Sequence, residues 1–188
     1  MHEHAIDNLR YIRQTMERAG SFTAVPGVGG ILMGATALGA AVIAAPVFDI
    51  SSWLAIWVAE AVVALLIGVV FATRKAHAAK MALLSGPGRK FVVGLVPPIL
   101  AGAVLTAALY RAGYMAPIPG AWLLLYGTSV LTGGAASVRV VPVMGLCFMA
   151  MGALALFAPA SCGNLVMAAG FGGIHILFGI MITVKYGG

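Results

Sequence analysis

Charge is the scarcest commodity in this chain. Only 9% of its 188 residues are Asp, Glu, Lys or Arg, and five of these are acidic. A soluble domain carries roughly a quarter charged residues. A chain this poor in charge cannot clothe a core in water, so its apolar surplus must face lipid. Cysteine is scarce too. Cys147 and Cys162 are separated by fifteen residues of apolar chain, roughly 22 Å if helical at about 1.5 Å per residue. A disulfide needs Cα atoms within about 7 Å, so both are expected to be free thiols. Histidine is thin where a metal or haem would need it. His2 and His4 are terminal, His77 sits at the end of an apolar run, and His175 alone lies deep in one. No cofactor and no metal are expected. A cleavable leader is not expected either, because the first apolar run begins only near Val25, behind an amphipathic and partly acidic segment.

What is abundant is apolar sequence. Hydrophobic residues make up 62% of the chain, and the mean hydropathy is +1.05. Six apolar runs stand out, at 26–46, 53–73, 91–111, 119–137, 140–158 and 164–184. Each is close to the roughly 20 residues that cross a hydrocarbon core about 30 Å thick. The fold expected is an all-α polytopic bundle of six transmembrane helices over residues 25–188. Ahead of it, residues 1–24 hold an amphipathic helix over 3–19. There Ile6, Leu9, Ile12 and Met16 share one face and Asp7, Arg10, Arg13, Glu17 and Arg18 the other. Such a helix lies on the membrane surface or docks on another subunit.

The charges orient the bundle. With the N-terminus inside, ten basic residues lie in inner segments and Arg111 alone in an outer one. This strong positive-inside bias places both termini in the cytoplasm. It also accounts for the net charge of +6 without nucleic acid. Trp53, Tyr110, Tyr114 and Trp122 fall near the outer ends of their runs, where aromatic rings favour the interface. The stretch PGVGGILMGATALGAA from Pro26 aligns with PGAWLLLYGTSVLTGG from Pro119, and ILAGAVLT from Ile99 with ILFGIMIT from Ile176. With three spans per half (26–111 and 119–186), these matches suggest a 3+3 inverted repeat of the kind found in transporters.

Two residues carry potential chemistry. Glu60 lies in WVAEAVVALL, where a carboxylate in lipid costs roughly 2.5 kcal/mol or more. It must face the interior, be paired, or be protonated. His175 lies in GGIHILFG, at a similar depth if its run and that of Glu60 descend from the same side. Together they form a candidate polar site for a proton or a cation, provided their helices are neighbours. Pro97–Pro98 and Gly172–Gly173 interrupt the third and sixth runs at corresponding places, which makes them candidate helix breaks lining a cavity. The basic loop RKAHAAKMALLSGPGRK reads as a topology signal, since no strand precedes it and its glycines lack phosphate-loop spacing. Rhomboid-type intramembrane proteases likewise have six spans, with a serine on the fourth and a histidine on the sixth, positions filled here by Ser129 and His175. The resemblance ends there, because Gly127-Thr128-Ser129-Val130 lacks the second glycine of the expected motif.

Taken together, SGPGRKF, PPILAGA, PGAWLLLYG, VPVMGLCFM and GFGGIHILFG with the terminal YGG resemble an uncharacterised family of small six-span bacterial integral membrane proteins. The resemblance implies a bacterial inner-membrane location and brings no activity, cofactor or partner. The leading expectation is a small transporter, channel-like protein or membrane small-molecule binder. The alternative is an accessory or structural subunit of a larger membrane complex, and an intramembrane hydrolase comes third. Expected partners are the lipid bilayer and a homo-oligomer or larger complex.

Overall fold

A backbone in hydrocarbon must bond to itself, and helices do so within one segment. A computed structural model describes residue 20, residues 22–79 and residues 86–187. Among these described residues are six helices: α1 (Gly27–Ala44), α2 (Ile50–Ala78), α3 (Gly86–Arg111), α4 (Ile118–Gly134), α5 (Val140–Phe157) and α6 (Ala160–Tyr186). The expected amphipathic helix over 3–19 lies outside the described residues. Five of these six are long and apolar enough to cross a membrane, and α4, at 17 residues, is the shortest. α2 overruns its expected span at both ends. Asp49 caps its start, accepting from Ser52 N at 2.8 Å and Ser52 Oγ at 2.7 Å, and these bonds hold the Asp49 carboxyl below its usual range. At its far end, Lys75 and His77 suit the negative pole of the helix dipole.

The helices alternate in direction. One end of the bundle gathers the start of α1, the end of α2, the start of α3, the α4–α5 turn and the end of α6. Phe22 and Ala24 are buried there with Ala76, and the Phe22 ring lies tilted against that of Phe91 at 4.9 Å. Phe22 N donates to Ala136 O (2.7 Å), and Ser137 Oγ donates to Phe22 O (2.6 Å). Lys75 Nζ donates to the carbonyls of Val25, Tyr186 and Gly187. At the opposite end Asn164 on α6 accepts from Trp53 Nε1 (3.2 Å) and Trp57 Nε1 (3.1 Å) and donates to Ala41 O (2.9 Å). Ser51 also meets Tyr110 there at 3.2 Å.

Between the ends, glycine decides which helices touch. Lipid tails are as apolar as leucine, so membrane helices associate through close packing of small residues. α4 lies against α5 through Gly120 and Gly127 facing Gly152 and Gly145. α1 lies against α6 through Gly30 and Gly34, which face Gly179 and Gly172. α3 meets α4 at Gly94 and Gly133. α2 packs along α1 and α3 along α4, leaving these two helices outermost. In the most apolar stretch of α3, 0% of residues are buried, and in that of α2 only 6%, so both present faces that lipid would cover.

The chain stays helical through Pro97 and Pro98. This corrects the reading of a break there. Pro98 has no N–H to offer the carbonyl four residues back, that of Gly94, and Thr132 Oγ1 on α4 donates to that carbonyl at 2.7 Å. Ser129 Oγ donates to the neighbouring Leu95 carbonyl. Of the two backbone donors the prolines withhold, a neighbouring helix has replaced the one at Gly94, as membrane helices require. Thr132→Val should therefore orphan the Gly94 carbonyl and cost about 1 kcal/mol, while Thr132→Ser should cost little. Unfolding midpoints in mixed micelles check both.

Candidate functional site

Glu60 is almost fully buried, at 9% exposure, in the interface of α2 with α1. Its Oε1 lies 2.8 Å from Thr36 Oγ1. The same hydroxyl is 2.9 Å from Met33 O and 3.1 Å from Leu32 O, the back-bonding contacts usual for a helical threonine. Thr36 is thus the partner of Glu60, and it is a hydroxyl, not a cation.

His175 is buried among α4, α5 and α6. Its Nδ1 is 2.8 Å from Phe171 O, and its Nε2 is 2.7 Å from Tyr126 Oη. A carbonyl can only accept, so Nδ1 carries the ring proton. Nε2 of the neutral imidazole is then the acceptor, and Tyr126 donates to it. The rings of Phe148 and Tyr126 stand 5.1 Å and 5.3 Å from the imidazole, and that of Phe171 stands 6.2 Å away.

The winding of α6 creates this arrangement. A 3-10 turn (Ala160–Cys162) and one α-turn (Gly163–Met167) lead into a π-helical stretch, Ala168–Ile174, and α-helix resumes at His175. Gly172–Gly173 therefore marks a widening of the helix, not an interruption. The backbone N–H of His175 turns to Gly172 O while its ring takes the Phe171 carbonyl. π-bulges of this kind recur at functional sites. Gly172 earns its place by contact, since a Cβ there would lie 2.8 Å from Leu38 Cγ, whereas Gly173 faces open space.

The two candidate residues occupy separate hydrogen-bonded sets, and among the described residues no hydrogen bond joins them. The reason is azimuth. Thr36 faces α2 and Gly34 faces α6, and two residues apart on a helix is about 200° of rotation. Thus α1 stands between the Glu60 set and α6. Ser129 and His175 are likewise committed elsewhere, to the Leu95 carbonyl and to Tyr126. Among the described residues no group of three or more His, Cys, Asp or Glu side chains could hold a metal. The residues that sequence reasoning passed over are Thr36, Tyr126 and Asn164. Tyr126 had a usable signal, a phenol in the middle of LLLYGTSV and far from either interface, where its hydroxyl must find a partner.

No family model, no curated protein and no solved structure matches this chain.

Proposed function

We propose that this chain is a six-span protein of the bacterial inner membrane, with both termini in the cytoplasm, and that it is a small transporter or membrane ion binder centred on Glu60. The observation that carries the reading is a buried carboxyl with a neutral partner. Glu60 is the one acidic residue after Asp49, lies inside an apolar helix, and is held by the Thr36 hydroxyl at 2.8 Å. A carboxyl so placed is costly in lipid, and intramembrane ionisable groups mark ion pathways as a rule. His175, fully satisfied within an aromatic cluster, is assigned a packing role that holds α6 to α4 and α5.

The orientation is supported by Arg74, Lys75, Arg89, Lys90, Arg139 and Lys185, which belong to the helix ends gathered around Phe22. The inverted repeat is supported at the level of helices. Exchanging α1–α3 with α4–α6 turns the α1–α2 pair into α4–α5 and the α1–α6 pair into α4–α3, all of which pack. At the level of residues it is looser, because Gly34 meets α6 while its counterpart Gly127 meets α5.

A second reading, an accessory subunit of a larger membrane complex, is favoured by the separate satisfaction of Glu60 and His175 and by the uncovered faces of α2 and α3. Proton and cation flux in proteoliposomes decides between them. The wild type should carry flux that Glu60→Gln abolishes and His175→Gln only weakens. Absence of wild-type flux across cations and pH would shift the assignment to the subunit, with co-purification from native membranes as its positive test.

A further inference from the structure

We infer that the ion taken at Glu60 is a proton, shared through the Thr36 hydroxyl; this rests on the reading of Glu60 as the site. Thr36 Oγ1 has a single hydrogen and three oxygen neighbours: Glu60 Oε1 at 2.8 Å, Met33 O at 2.9 Å and Leu32 O at 3.1 Å. With Glu60 ionised, the threonine hydrogen goes to Oε1, and a full negative charge stays in the apolar helix pair with only a hydroxyl against it. With Glu60 protonated, the carboxyl donates to Thr36 Oγ1, and the threonine hydrogen is free for the Met33 or Leu32 carbonyl. The Glu60–Thr36 hydrogen bond is kept, and no charge is left in the apolar helix pair. This is the arrangement that buried polar groups require.

The donor set fits a proton better than a metal cation. Hard cations take about six or more oxygen ligands. Around Thr36 Oγ1 stand one carboxyl and two α1 carbonyls that already accept helical N–H groups. Lys75 of α2 is bound to the carbonyls of Val25, Tyr186 and Gly187. It gives Glu60 no counter-charge.

The test is infrared spectroscopy of the full-length protein in liposomes, titrated with pH. Subtracting the Glu60→Gln spectrum cancels every other carboxyl. The expected result is a protonated-carboxyl C=O stretch in the wild type at neutral pH, absent from Glu60→Gln and unchanged when choline is replaced by Na+ or K+. Thr36→Val should shift that stretch to higher frequency by removing the hydrogen-bond partner, and Thr36→Ser should restore it. A carboxylate band at neutral pH overturns the inference, as does loss of the C=O stretch on adding Na+ or K+ at constant pH. Failure here is separable from failure of the transport reading. A protonated Glu60 without flux sinks transport alone, and flux with a cation-sensitive band sinks the proton assignment alone.

Discussion

Gly127→Leu should prevent the bundle from assembling. A Cβ on Gly127 would lie 2.6 Å from Met149 N and 2.7 Å from Gly145 O, and both are backbone atoms of α5 that cannot rotate aside. Even alanine would force the two helices apart, and leucine would add three more carbons to the same seam. Ordinary overpacking in a core costs roughly 1–3 kcal/mol. Here the whole α4–α5 seam must separate, because Gly145 and Gly152 meet α4 equally closely, with Cβ positions 2.6 Å from Leu131 N and 2.5 Å from Leu124 N. That seam also carries Leu123, Val130, Met144 and Phe148 of the main core. The expected outcome is loss of the monodisperse peak in size-exclusion chromatography and of the thermal transition. Gly39→Leu is the matched control, since nothing lies within 4 Å of a Cβ there, and it should behave as the wild type. Equal behaviour of the two variants would refute the close approach of α4 and α5.

The contrast between these two glycines shows what could be read in the residues and what could not. All six apolar runs correspond to helices among the described residues, and five of these are long and apolar enough to cross a membrane. The ends moved where polar chemistry took over, as at the Asp49 cap and along Arg74–His77. Azimuth was harder. Depth along a helix can be counted at 1.5 Å per residue, so Glu60 and His175 could be placed at similar levels. Whether they face one another depends on which helices are neighbours, and that was settled by glycine faces that look alike in sequence. α1 came to lie between the Glu60 set and α6. The two suspected breaks were also read from composition alone. Pro97–Pro98 and Gly172–Gly173 do disturb the backbone bonding, but in one case Thr132 supplies one of the two missing donors, and in the other the helix widens into a π-helical stretch. Neither remedy is written in the local sequence, since the first comes from another helix and the second is a choice of winding. Thr36 was obscured for the opposite reason, since a threonine in an apolar run bonds its own helix and shows no other partner in the sequence.

Tyr126→Ala is expected to destabilise the bundle by about 3 kcal/mol, and Tyr126→Phe by about 1 kcal/mol. The ring of Tyr126 is tilted edge-on to Phe148 at 4.9 Å and to Phe171 at 5.3 Å, so its removal opens a hole where α4, α5 and α6 converge. Truncating an aromatic residue in a soluble core costs roughly 3–5 kcal/mol. Here the separated helices would stay in hydrocarbon, which reduces the transfer part and leaves the packing part, so the low end applies. Phenylalanine keeps the ring and removes only the hydroxyl that donates to His175 Nε2 at 2.7 Å. An orphaned buried acceptor costs about 1–3 kcal/mol, and hydrogen bonds between membrane helices average nearer 0.6 kcal/mol, which brackets the smaller value. Unfolding free energies in mixed micelles check the pair. If His175 is the packing residue assigned here, His175→Phe on a Tyr126→Phe background should recover much of the loss, because both polar partners are then replaced together. A double variant that stays as unstable as Tyr126→Phe, while losing flux completely, would return His175 to the ion site.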